Sequence, residues 1–164
     1  MLLKVQSLIY GNMMAHRTEI FSPASGKVFL LEEIPDEVFS NGLMGPGLAI
    51  ELDGLDWNVY APTDAQVSVV FPTGHAVVLQ HQGGVEMLIH IGIDTFREQN
   101  AFKKYIAENQ PVVKGQKLIG IDKACFLEKK PLVIFTLING KKFLLEKKFK
   151  DMVFANKTIL FTIY

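Results

Sequence analysis

The chain has 164 residues, the length of one compact domain with a single core. Hydrophobic side chains make up 49% and charged ones 21%, with 17 Lys and Arg against 17 Asp and Glu. No bulk charge draws nucleic acid or anionic lipid from a distance, so a partner has to be recognised locally. The single cysteine, Cys125, has no second cysteine or nearby histidine with which to make a disulfide, metal or redox motif, which fits a reducing, cytoplasmic setting. No apolar run approaches the ~18 residues of a bilayer span.

Residues 1–17, MLLKVQSLIYGNMMAHR, place Leu2, Val5, Ile9 and Met13 at helical spacing and predict a leader helix or a frayed tail. With no Lys or Arg between Lys4 and Arg17, such a helix supports at most weak membrane contact. A single domain is expected over residues 18–164. Runs rich in Val, Ile, Leu and Phe recur there between Gly, Pro, Asn and Asp, the punctuation of an all-β fold. In chain order they are TEIFS, GKVFLLE, GLAIEL, NVYA, AQVSVVF, HAVVLQ, VEMLIHIG, KLIGID, LVIFTL and TILFTIY. Only NAFKKYIAENQ, residues 100–110, with Phe102, Tyr105 and Ile106 on one side of a helical wheel, predicts a short helix.

Two pieces of this pattern occur twice. SPASGKV (22–28) returns as APTDAQV (61–67), and GLAIEL (47–52) returns as GHAVVL (74–79). The expected architecture is therefore a flattened β-barrel or sandwich built from a duplicated β motif, with one or two short helices. The first copy holds a longer loop around EIPDEVFSNGLMGPG, the usual place for recognition to be elaborated. Where that copy has Leu48, the second has His75.

His75, His81 and His90 lie within GHAVVLQHQGGVEMLIHIGIDT, and an unpartnered buried imidazole costs free energy. The glycines of HQGG predict a hairpin between HAVVLQ and VEMLIHIG. A two-residue loop of Gln82 and Gly83 sets His75 opposite His90, and a loop of Gly83 and Gly84 makes them diagonal neighbours. Any even loop keeps both on one face, whereas an odd loop moves them to opposite faces. His81 lies about 20 Å along the strand, beside the turn. Two facing imidazoles can ligate one metal, act as nucleophile and orienting partner, or hold a phosphoryl group between them.

A zinc hydrolase needs a third protein ligand, and neither Glu86 nor Asp94 is well placed to supply one. The chain has no H-x-H or H-E-x-x-H spacing, no G-x-S-x-G turn and no glycine-rich nucleotide loop. Phosphoryl chemistry here would need a donor other than a bound nucleotide.

The motifs SPASGKV, EEIPDEVFSNGLMGPGLAIE, PTGHAVVLQ, VEMLIHIGIDT and AFKKYIAENQPVVKGQKLIGID together resemble the glucose-type enzyme IIA family of the bacterial phosphoenolpyruvate-dependent sugar phosphotransferase system. The resemblance runs from about Thr18 to Asp122 and more weakly to the end. It implies a cytoplasmic phosphocarrier in which His90 takes a phosphoryl group from the carrier protein HPr and passes it to the IIB domain of a membrane sugar permease. By the same resemblance His75 orients and stabilises that group, Thr73 fixes the His75 tautomer, and the Gly92 carbonyl does so for His90. Asp36 and Asp94 match acidic positions that meet a basic residue of the carrier, and Phe39 and Phe71 match apolar residues ringing the site. No cofactor is implied and no metal is required, although His75 and His90 could bind zinc adventitiously. Gly45, Pro46, Gly47 and the pair Asp64, Ala65 depart from the family pattern, away from the histidines. The other readings are a zinc-dependent lysostaphin-like endopeptidase and a non-catalytic lipoyl-like regulatory binding module.

Overall fold

The computed structural model describes residues 17–164 except Gln99 and Lys129. The leader helix or tail expected over residues 1–17 lies, Arg17 apart, outside the described residues. Alternating β-branched runs become strands: β1 (Thr18–Phe21), β2 (Gly26–Phe29), β3 (Gly47–Leu52), β4 (Asn58–Tyr60), β5 (Ala65–Val70), β6 (Ala76–Gln80) and β7 (Glu86–Ile91). They continue as β8 (Phe102–Lys104), β9 (Pro111–Val112), β10 (Lys117–Ile121), β11 (Leu132–Leu137), β12 (Leu145–Lys147), β13 (Met152–Val153) and β14 (Ile159–Ile163). Among the described residues the helical elements are one short α-helix, α1 (Glu37–Ser40), and a few single 3-10 turns.

An eight-stranded antiparallel sheet in the order β13-β2-β3-β11-β7-β6-β5-β9 forms one layer. Two three-stranded sheets, β1-β14-β12 and β4-β10-β8, complete the sandwich. Period-two alternation sends Leu48, Ile50, Val77, Leu79, Ile89, Ile91, Val133 and Phe135 inward, where they join Ile20, Leu118, Ile119 and Phe161 in one buried cluster. Burial of each such side chain contributes about 1.5–3 kcal/mol, so this layer interface dominates stability.

The alternate residues of the large sheet, Ala49, Ala76, Leu88 and Ile134, belong to a smaller buried cluster with Leu31, Ile34 and Phe39. Those last three come from the long loop of the first repeat, which lies over the outer face of the sheet. The duplication is visible in the topology: the β2–β3 and β5–β6 pairs flank the central β11–β7 pair from either side.

The helix expected over residues 100–110 is not formed. Phe102–Lys104 instead pairs with β10, Ile121 opposite Phe102 and Ile119 opposite Lys104. The segment is shorter than the ~12–15 residues at which a helix stands alone, and β10 offers a row of backbone partners that a helix would leave empty. Asn109, at φ 61°, and Pro111 then end any helical continuation. The run GKVFLLE also stops being a strand at Phe29, and Leu31–Glu33 forms a 3-10 turn.

Candidate functional site

The hairpin register is odd, contrary to the even loop expected. Gln80 pairs with Glu86, Val77 with Ile89, and Ala76 with His90, so His75 is not opposite His90 in the ladder. The His81 N–H still donates to the Val85 carbonyl (3.0 Å), which leaves three residues in the loop, with Gly84 at φ 89°. The rings meet all the same, with centroids 5.1 Å apart and planes at 82°.

They meet because His75 precedes the strand. β6 begins at Ala76, and residues 72–75 form a turn with Gly74 at φ 85° and its N–H donating to the Phe71 carbonyl at 2.8 Å. The His75 carbonyl remains tied to the β7 backbone, accepting from the Ile91 N–H at 2.7 Å, while its side chain is released from strand alternation. The ring therefore reaches the outer face, where His90 stands in line with Leu88. Lys104 steadies the turn, its Nζ donating to the Pro72 carbonyl at 2.8 Å.

Thr73 Oγ1 and His75 Nδ1 share a hydrogen bond of 2.5 Å. His75 is 7% exposed, and burial lowers its pKa from the ordinary histidine value. Burial, seconded by the His75 ring, pushes the pKa of His90 down to about 4, opposed by the Gly92 backbone and by Asp36. A backbone contact that raises an imidazole pKa is one with a carbonyl acceptor, since an amide donor would lower it. Among the described residues no hydrogen bond reaches the buried His90 Nδ1.

The remaining candidate residues gather here to different degrees. Phe39 is 5% exposed, a member of the outer cluster as well as a wall of the site, with its ring 5.2 Å from that of His90. Phe71 is 38% exposed and lies 5.2 Å from the His75 ring, so the exposed aromatic rim is Phe71 and not Phe39. Asp36 caps α1, its Oδ1 accepting from the Val38 N–H at 2.9 Å, yet its charge still reaches His90. Asp94 is exposed at φ 58°, in the turn just after β7. His81 lies away from the site, its Nδ1 accepting from the Gly83 N–H at 2.9 Å.

Sequence reasoning missed Thr95. It is 7% exposed, its Oγ1 donates to the Ile91 carbonyl, and its methyl group closes over Gly92. The signal was present in the run GIDT, where Thr comes three residues after a glycine. Among the described residues no group of three or more His, Cys, Asp and Glu is placed to hold a metal ion.

Residues 18–143 match the family model for EIIA 1 of the phosphoenolpyruvate-dependent sugar phosphotransferase system. The chain belongs to that EIIA family. An EIIA protein is a phosphocarrier with phosphotransferase activity. The chain is 35% identical over 154 residues to the glucose-specific EIIA component of Buchnera aphidicola, covering 90% of this chain and 92% of that one. It is 43% identical over 129 residues to the glucose-specific EIIBCA component of Corynebacterium glutamicum, covering 76% of this chain but only 19% of that larger protein. The solved structure of glucose permease IIA from Mycoplasma capricolum superposes with a TM-score of 0.77 at 31% identity, covering 89% of this chain and 96% of that one. The comparisons give no support to a peptidase or a lipoyl-like module.

Proposed function

We propose that His90 is the phosphoacceptor of this EIIA protein, that phosphorylated HPr is its donor, and that the IIB domain of a membrane sugar permease is its acceptor in the cytoplasm. Residues 18–164 act as one domain in this reading. The observation that carries it is the pair of imidazoles at 5.1 Å, one strongly depressed in pKa and the other held at Nδ1 by Thr73. The EIIBCA relative, in which an EIIA region is part of a longer chain, supports the permease as partner.

With a pKa of about 4, His90 is neutral at pH 7 and keeps a lone pair for attack. In this reading the Gly92 backbone, which favours a protonated ring, keeps the proton on the buried Nδ1, so Nε2 is the nucleophile. Nε2 bonds to phosphorus as the donor's P–N bond breaks, and that electron pair returns to the donor imidazole. The Thr73 hydroxyl donates to His75 Nδ1, which leaves the His75 Nε2–H as a donor to an equatorial phosphoryl oxygen. The product ring retains its Nδ1 proton, becomes cationic, and so keeps the P–N bond labile for onward transfer. Asp36 and Asp94 flank the group with negative charge and are completed by a cation of the partner, while Phe71 gives that partner an apolar contact.

The test incubates the protein with phosphoenolpyruvate, the first enzyme of the system and HPr. One acid-labile, base-stable phosphate per chain is expected, and none in His90→Gln. Uptake that persists in His90→Gln would overturn the assignment.

A further inference from the structure

A nucleophilic imidazole whose Nδ1 has only one backbone carbonyl to face is oriented no better than that carbonyl is held. The Gly92 carbonyl is in a turn with two left-handed residues, Gly92 at φ 78° and Asp94 at φ 58°, a conformation that does not hold itself. The peptide just before it, joining Ile91 to Gly92, is fixed on its N–H side, where the Gly92 N–H donates to the Leu132 carbonyl of β11 at 2.7 Å. The other side is closed by Thr95. The Thr95 hydroxyl reaches back to the Ile91 carbonyl, and its Cγ2 fills the space over the Gly92 Cα so fully that a Cβ on Gly92 would collide with it. The Thr95 carbonyl then accepts from the Glu98 N–H at 3.0 Å, anchoring the turn to the 3-10 segment on its C-terminal side. His90 Nδ1 is buried with no hydrogen-bond partner among the described residues.

We infer that Thr95 is a positioning residue for phosphoryl transfer: its hydroxyl and methyl group clamp the 92–95 turn so that the Gly92 carbonyl keeps the His90 proton on Nδ1 and the lone pair on Nε2. The inference rests on His90 being the nucleophile, and it assigns to Thr95 a task performed entirely through Gly92.

The decisive variants are Thr95→Val, which keeps the methyl group and loses the hydroxyl, and Thr95→Ser, which does the reverse. Imidazole 15N shifts report the His90 tautomer in the unphosphorylated protein, and rapid-quench transfer from phosphorylated HPr reports the rate. In Thr95→Val the Nδ1–H tautomer gives way to a mixture, and the rate at saturating donor falls about tenfold while the half-saturating donor concentration is unchanged. Thr95→Ser restores most of the tautomer preference and of the rate. Parental 15N shifts and rate in Thr95→Val would overturn the inference. If Thr95→Val does not fold, parental 15N shifts and rate in folded Thr95→Ala, which loses both groups, would do so. Should the parent accept no phosphate at all, the functional reading fails, while the 15N shifts still decide whether Thr95 sets the tautomer.

Discussion

The two halves of the large sheet carry the same framework and opposite chemistry. One row crosses its centre from Ala49 through Ile134 and His90 to Ala76. From either end the row starts with an alanine, and the next residue is Ile134 in one half and His90 in the other. The repeat adds a second exchange, Leu48 for His75. Leu48 is inside β3, paired with Phe135 and fully buried in the main core. His75 stands one residue before β6, and Gly74 turns its ring to the opposite face. The histidine pair thus arises at two positions that are apolar in the first half, because the second copy's strand begins two residues later, at Ala76 rather than at Gly74, the counterpart of Gly47. Small alanines at both ends of the row flank the bulkier Ile134 and His90 between them.

The largest effect expected from disturbing this asymmetry is on onward transfer. His75→Gln should still accept phosphate at His90 but pass it to the IIB domain about 100-fold more slowly, the usual loss for one oriented donor at a developing charge. Single-turnover transfer to purified IIB measures it, and an unchanged rate would remove His75 from the mechanism. Placing histidine in the first half should not create a second site. Leu48→His buries an imidazole in the main core with no polar partner and should cost about 3 kcal/mol, read by urea unfolding, with no additional phosphate taken up. A second phosphate would mean that the face a ring occupies is not what separates the halves.

The smallest effect expected is that of pH. His90 binds its proton more weakly in the folded chain, about 4 against an ordinary value of 6.5, so the unfolded chain holds more protons between these values. Its contribution to stability is complete above about pH 6.5 and is lost as pH falls towards about 4. His90→Gln should show a flatter stability profile over that window. Equal slopes in parent and variant would contradict the depressed pKa.

Most strands were legible in the sequence because alternation and turn residues agree with burial on one or both faces, as in GLAIEL and LVIFTL. Two-residue strands such as Pro111–Val112 and Met152–Val153 were not, since pairing partners rather than their own composition create them. The 100–110 segment was misread because Phe102, Tyr105 and Ile106 fit a helix wheel, and only the open edge of β10 decides against it. At the site, the two histidines and their companions were readable as residue types in ordered motifs. The path by which the rings meet was not, because hairpin parity turned on one residue of loop length and on Gly74, whose left-handed backbone no alternation rule contains. Thr95 escaped notice because its contacts are to backbone, which a side-chain pattern does not display.

The central claim is that a single phosphoryl group resides on His90 Nε2 with His75 beside it. Nuclear magnetic resonance of the 15N-histidine-labelled, phosphorylated protein tests this most directly through the coupling of phosphorus to ring nitrogen. Coupling to Nε2 of His90, with the His75 signals shifted but uncoupled, is the predicted result, and coupling to His75 or to His90 Nδ1 would contradict it.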